Sequence, residues 1–172
     1  MKKTLIAIIT TASITMTLPA AEGTASSSGS QLTAPSTGVD PLDRPFEAGI
    51  IFGEPTGLSL KYWTSEILAV DAGIGWSFDN DTDLHLHGDV LWHNFEWLDV
   101  PKGELPIYFG VGARAQFRSH RDDRVGIRIP FGMSYMFEDV PLSAFIEIAP
   151  VLDLAPSTHG DFTAGIGLRY RF

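Results

Sequence analysis

The chain's 172 residues leave room for one domain, and with 44% hydrophobic and 11% aromatic residues it is too apolar to be a disordered chain. A net charge of -9 argues against nucleic acid as a partner, the more so because Lys2 and Lys3 lie in a leader. The absence of cysteine excludes disulfide staples, thiolate metal sites and a lipidated cysteine after the leader.

The leader comes first. Lys2 and Lys3 precede an apolar stretch from Leu5 to Leu18, and small residues follow at Ala20, Ala21, Gly23 and Ala25. Roughly 14 apolar residues fall short of the ~20 that a spanning helix needs, so the segment reads as a cleaved secretory signal rather than an anchor. Leu18 fits poorly at the -3 position of a cut after Ala20, whereas Gly23 and Ala25 suit a cut after Ala25, which assigns the signal to residues 1–25. Residues 26–45 are rich in Ser, Thr, Pro and Gly and hold too little apolar surface to offset the entropy of ordering, so a disordered linker is expected there.

From Phe46 to Phe172 the hydrophobic period becomes two. Turn clusters divide this region into eight segments: Phe46 to Gly53, Thr56 to Trp63, Leu68 to Phe78, Asp83 to Asn94, Leu105 to Phe117, Arg124 to Phe137, Leu142 to Leu154 and Asp161 to Phe172. The connections are short, as antiparallel neighbours require. The expected fold is all-β, an eight-stranded antiparallel up-and-down transmembrane β-barrel with a polar interior. Pro130 and Pro150 lack an N–H for the ladder, and each predicts a bulge or a widely spaced position.

The alternation separates two faces. Phe162, Ala164, Ile166, Leu168, Tyr170 and Phe172 share one side of the last segment, while Asp161, Thr163, Gly165, Gly167, Arg169 and Arg171 share the other. Along all eight segments the polar parity carries Glu47, Lys61, Asp71, Asp89, Arg114, Arg128, Glu147, Asp153, Arg169 and Arg171, five acids against five bases. Such balance suits an enclosed lumen, where charges must pair, and leaves the apolar face for lipid. Aromatic residues near the segment ends, among them Phe46, Tyr62, Trp76, Phe78, Trp92 and Phe117, would form the interfacial girdles. The alternative is a soluble lipocalin-like barrel with its apolar face inside and Arg128 and Glu147 in solvent.

The alternating last strand ending in Tyr170 and Phe172 resembles that of the eight-stranded OmpA/OmpX-type outer-membrane barrels. There the terminal aromatic residue is an assembly signal, so the resemblance implies barrel-insertion machinery as a partner during assembly. The stretches GLSLKYW, LHLHGDVLWHN, DDRVGIRIPFGMSYMF and DLAPST look like a family of uncharacterised outer-membrane β-barrel proteins of Gram-negative bacteria and spirochaetes, a resemblance that implies a fold but no settled activity and carries over no agreed catalytic residues.

Two groups of side chains invite a chemical reading. His85, His87, Asp89 and His93 share the inward parity of the fourth segment, and imidazoles two apart on one face can share a metal. A third ligand from another strand would be needed, and a hydrogen-bonded lumen network is the preferred reading, so no metal and no cofactor is assigned. Ser157, His159 and Asp161 are hydrolase residue types, but they fall in a turn with Pro156 and Gly160, and turn chemistry accounts for them. No catalytic residue is expected.

The function expected is an integral outer-membrane protein with a structural or interaction role, its lumen filled by the charged network. The alternatives are a narrow or gated pore and a lipid-modifying enzyme. Outer-membrane lipid is the expected surrounding, the protein is expected to be a monomer, and any surface ligand is left open. Both the linker and the C-terminus are placed in the periplasm.

Overall fold

A computed structural model describes residues 38–77, 83–118 and 122–172. The leader, most of the expected linker, Phe78 at the end of the third expected segment, the expected connection at 79–82, and residues 119–121 lie outside the described residues. The strands are β1 (Phe46–Glu54), β2 (Thr56–Trp63), β3 (Leu68–Ser77), β4 (Asp83–Asn94), β5 (Ile107–Phe117), β6 (Arg124–Arg128), β7 (Phe131–Met136), β8 (Leu142–Ala155) and β9 (His159–Arg171). Every pairing is antiparallel, β6 and β7 share one position between β5 and β8, and β9 pairs back onto β1. Among the described residues, nine strands therefore form a ring of eight positions. β2 and β4 have the bounds expected from the sequence, and the sixth expected segment is the one that divides in two.

The division has a chemical cause. Gly110 N–H donates to the Pro130 carbonyl (2.9 Å) and Ile129 N–H donates to the Pro150 carbonyl (3.0 Å). Neither proline has an N–H to return the bond, so two adjacent rungs each keep half of their hydrogen bonding. Of the two expectations at the prolines, the bulge is not found there, since the register runs on unchanged from Arg128 opposite Val151 to Phe131 opposite Ile148. Pro150 stays inside β8 opposite Phe162, the ladder is interrupted at Ile129–Pro130, and the register shift against β8 falls at Val125/Gly126.

The ring is staggered. Glu47 pairs directly with Arg171. Followed the other way, through Lys61, Asp71, Asp89, Gly112, Arg128 and Val151, the same rung arrives at Asp161, a stagger of 10 residues along β9. Such a shear is what tilts strands by roughly 35–45° and closes a small barrel.

Burial follows the two-residue period. In β8, Ser143, Phe145, Glu147, Ala149, Val151 and Asp153 are buried, while Ile146, Ile148, Leu152 and Leu154 are exposed. Side chains leave a strand alternately to its two sides, and a ring turns one of those sides inward. The large exposed apolar residues, including Ile50, Leu58, Ile74, Val111, Phe131 and Ile166, therefore point outward. Where the interior is crowded, glycine faces it: a Cβ on Gly132 would lie 2.5 Å from the Tyr108 hydroxyl.

The end of the ring that holds Phe46 and Arg171 is packed with apolar groups. Trp63, Ala69 and Met136 form a buried cluster against which Val39 and Phe95 lie. Val39 arrives there because residues 38–45, the end of the expected linker, contain a 3-10 turn at Pro41–Asp43. Asp40 caps this turn, its Oδ1 accepting from Leu42 N at 2.8 Å.

Candidate functional site: the charged barrel interior

The ten charged residues of the polar parity are all buried. Each is placed by its strand parity, and the stagger then decides which of them meet. Three groups result.

Near the apolar end, Glu47 accepts from Trp63 Nε1 (2.8 Å) and from Ser143 Oγ (2.6 Å). Lys61 Nζ donates to His93 Nε2 (2.8 Å) and lies 4.1 Å from the Trp63 ring centroid, a cation-π contact. Lys61 therefore meets rings and an imidazole rather than a carboxylate.

In the middle, Arg169 binds Asp71 Oδ2 and donates twice to Ser59 Oγ (3.0 and 2.7 Å), with its guanidinium 3.8 Å from the Phe145 ring centroid. Arg128 binds Glu147 and lies 3.4 Å from Asp89 Oδ2, and Tyr108 OH donates to Glu147 Oε2 (3.0 Å). His87 Nε2 is 3.6 Å from Asp71 Oδ1.

Toward the opposite end, Arg114 contacts both oxygens of Asp153 (3.0 and 2.9 Å) and reaches Asp161 Oδ2 (2.6 Å). Arg124 approaches Asp153 at 3.5 Å, and Gln116 donates to Asp83 (3.0 Å). Paired, hydrogen-bonded charges are the form in which ions are held away from water.

The structure thus brings Arg169 to Asp71, Arg128 to Asp89 and Glu147, and Arg114 to Asp153. No ion pair of Arg171 with these carboxylates is found among the described residues, and its Nε and Nη1 are buried without a hydrogen-bond partner. His85 and His87 line one small cavity with Pro55, Arg114, Arg128 and Thr163. His93 belongs to the Lys61 group instead. Tyr170 and Phe172 lie on the outward side, ring to ring at 4.9 Å. Ser157 and His159 are exposed, and Asp161 accepts from Arg114 through Oδ2 and from Phe162 N through Oδ1 (2.8 Å). Sequence reasoning passed over Ser59, Tyr108, Gln116 and Ser143 as site residues, although their parity already placed them with the charges.

A ring of antiparallel strands with a stagger of 10 residues, charges turned inward and large apolar side chains outward defines a β-barrel of eight strand positions. The N-terminal β-barrel domain of Pseudomonas aeruginosa OprF has a similar fold: its solved structure superposes with a TM-score of 0.57 at 19% identity, over 74% of this chain and 95% of that one. No family model matches the chain, and no curated protein matches it. The barrel fold is accordingly found both in the chain and in a solved neighbour, while the narrower family resemblance rests on the sequence stretches alone.

Proposed function

We propose that the chain is an integral outer-membrane barrel that acts as an anchor or interaction platform, its lumen filled by ion pairs. One observation carries this reading: Arg128 and Glu147 are 4% and 5% exposed inside the ring, while Ile50, Phe131, Ile146 and Ile166 are each more than 40% exposed outside it. A soluble barrel has the reverse arrangement. Isoleucine around the circumference has a favourable surrounding in hydrocarbon, and a ring without free edges meets the requirement that backbone polar groups be paired there. Trp76, Trp92, Phe109, Phe162, Tyr170 and Phe172 supply aromatic groups on the outward side.

The leader brings the chain across the inner membrane, and both chain ends belong in the periplasm. The brief β1–β2 and β8–β9 turns then face outward. Among the interior groups, Lys61, Trp63, His93 and Tyr108 lie in mutual contact, which favours a filled lumen over a conducting one.

Cell fractionation with gels of unheated and heated samples tests the reading. The protein is expected in the outer-membrane fraction, soluble only with detergent, and faster in the gel before heating than after. Recovery from the periplasm without detergent would overturn it. Purified protein should be silent in planar bilayers, and steady openings would replace the anchor by a narrow pore. Labelled lipid A and phospholipid should be left unchanged.

A further inference from the structure

We propose that the barrel interior holds a divalent first-row transition ion, of which Zn2+ is the probe, between Asp71 of β3 and His87 and Asp89 of β4. The ladder places Asp71 directly opposite Asp89, and puts Gly73 opposite His87. Three donors from two neighbouring strands therefore occupy one small triangle, with a ligand atom from each lying within 4.8 Å of the others. Two carboxylates directly opposite each other repel unless a cation lies between or beside them.

The arginines account for only part of that charge. Arg169 takes Asp71 Oδ2, which leaves Oδ1 toward His87 Nε2 at 3.6 Å. This gap is too long for a hydrogen bond. It is close to the separation of about 3.4 Å between two donors that each stand 2.0–2.1 Å from one tetrahedral ion. Asp89 is 2% exposed, and neither of its oxygens has a hydrogen-bond partner, its nearest cation being Arg128 Nη1 at 3.4 Å from Oδ2.

A second observation comes from outside the triangle. His85 Nε2 is buried without a partner, and His85 and His87 line the same cavity, which extends to Pro55 in the β1–β2 turn. Imidazole and carboxylate together suit divalent first-row ions, and a carboxylate that shows one oxygen to the ion and the other to an arginine is a usual support for such a ligand. Two glycines keep the room: a Cβ on Gly73 would come within 2.2 Å of the His87 ring, and one on Gly112 within 2.0 Å of Asp89 Oδ1.

The proposal rests on the register of the ring and not on the membrane reading, so either can fail alone. Its test is equilibrium dialysis of untagged, folded full-length protein in detergent against Zn2+, with metal content measured afterwards. One ion per chain is expected. Asp89→Asn and His87→Gln should each weaken binding by about tenfold or more. His159→Gln, which alters an exposed imidazole, should leave binding unchanged. Absence of stoichiometric Zn2+, retention of it in both interior variants, or equal loss in the His159 variant would overturn the proposal. X-ray absorption on the unaltered protein does not depend on variants folding. Imidazole and carboxylate in the first coordination sphere support the site, and a spectrum without imidazole sinks it.

Discussion

The two ends of the barrel are closed by different chemistry. Where the chain enters and leaves the ring, Trp63, Ala69 and Met136 pack with Val39 and Phe95. At the other end, Arg114 holds Asp153 and Asp161 together. The first closure gains from area removed from water and from close packing, which involve no ion pair for salt to screen. The second gains from paired charges whose desolvation nearly cancels their attraction, so it contributes less net stability and more specificity of arrangement. The difference implies that the apolar end carries more of the barrel's resistance to unfolding.

Substitutions at each end can break that comparison. Trp63→Ala should have the largest effect, a loss of about 3–5 kcal/mol in denaturant unfolding of the protein in detergent, with little dependence on salt, because Trp63 is 1% exposed and its removal also strips a donor from Glu47. Asp153→Asn should cost less, about 1–3 kcal/mol, because Arg114 keeps Asp161 as a partner. An Asp153 effect as large as that of Trp63 would reverse the ranking.

Smaller changes sharpen it. Glu104, beside the apolar end, is partly withdrawn from water and faces the negative charge of Asp99, so its carboxyl titrates above the usual range. The stability this group contributes is present below its unfolded value and is lost as pH rises through the higher folded value. Glu104→Gln should flatten that part of the stability profile, as read by unfolding at a series of pH values. Lys102→Ala should change stability least. Its partner Asp139 lies 3.8 Å away across solvent, and such pairs contribute almost nothing measurable.

Much of this organisation is legible in the residues because a strand writes its two faces into alternate positions. Arg169 and Arg171 against Leu168 and Tyr170 is such a case, and β2 and β4 begin and end where turn residues say they should. Parity also groups the interior charges without any knowledge of the register. It does not say which charge meets which. That Asp71 comes to His87 and Asp89 depends on how β3 slides against β4, and that Arg114 reaches Asp161 depends on a connection closed by β8 and β9. The interruption at Ile129–Pro130 needs two prolines distant in sequence, one between β6 and β7 and one in β8, to fall on adjacent rungs. Val39 is hidden for another reason: scattered apolar residues in a Ser- and Pro-rich stretch show no period, and only the Trp63 cluster gives Val39 a place.

The pairing of β9 with β1 also bears on how the barrel completes itself. A slip of one residue along that seam would turn Arg169 and Arg171 to the outside of the ring and bring Leu168 and Tyr170 in among the carboxylates. Asp71 would lose its cation, and in the membrane setting proposed above an outward arginine would cost up to about 2–4 kcal/mol at mid-depth and about 0–1 kcal/mol near the interface, toward which Arg171 lies. The closing strand thus carries its own proofreading: the charges that fill the finished interior also reject the wrong alignment while the last seam is still being made.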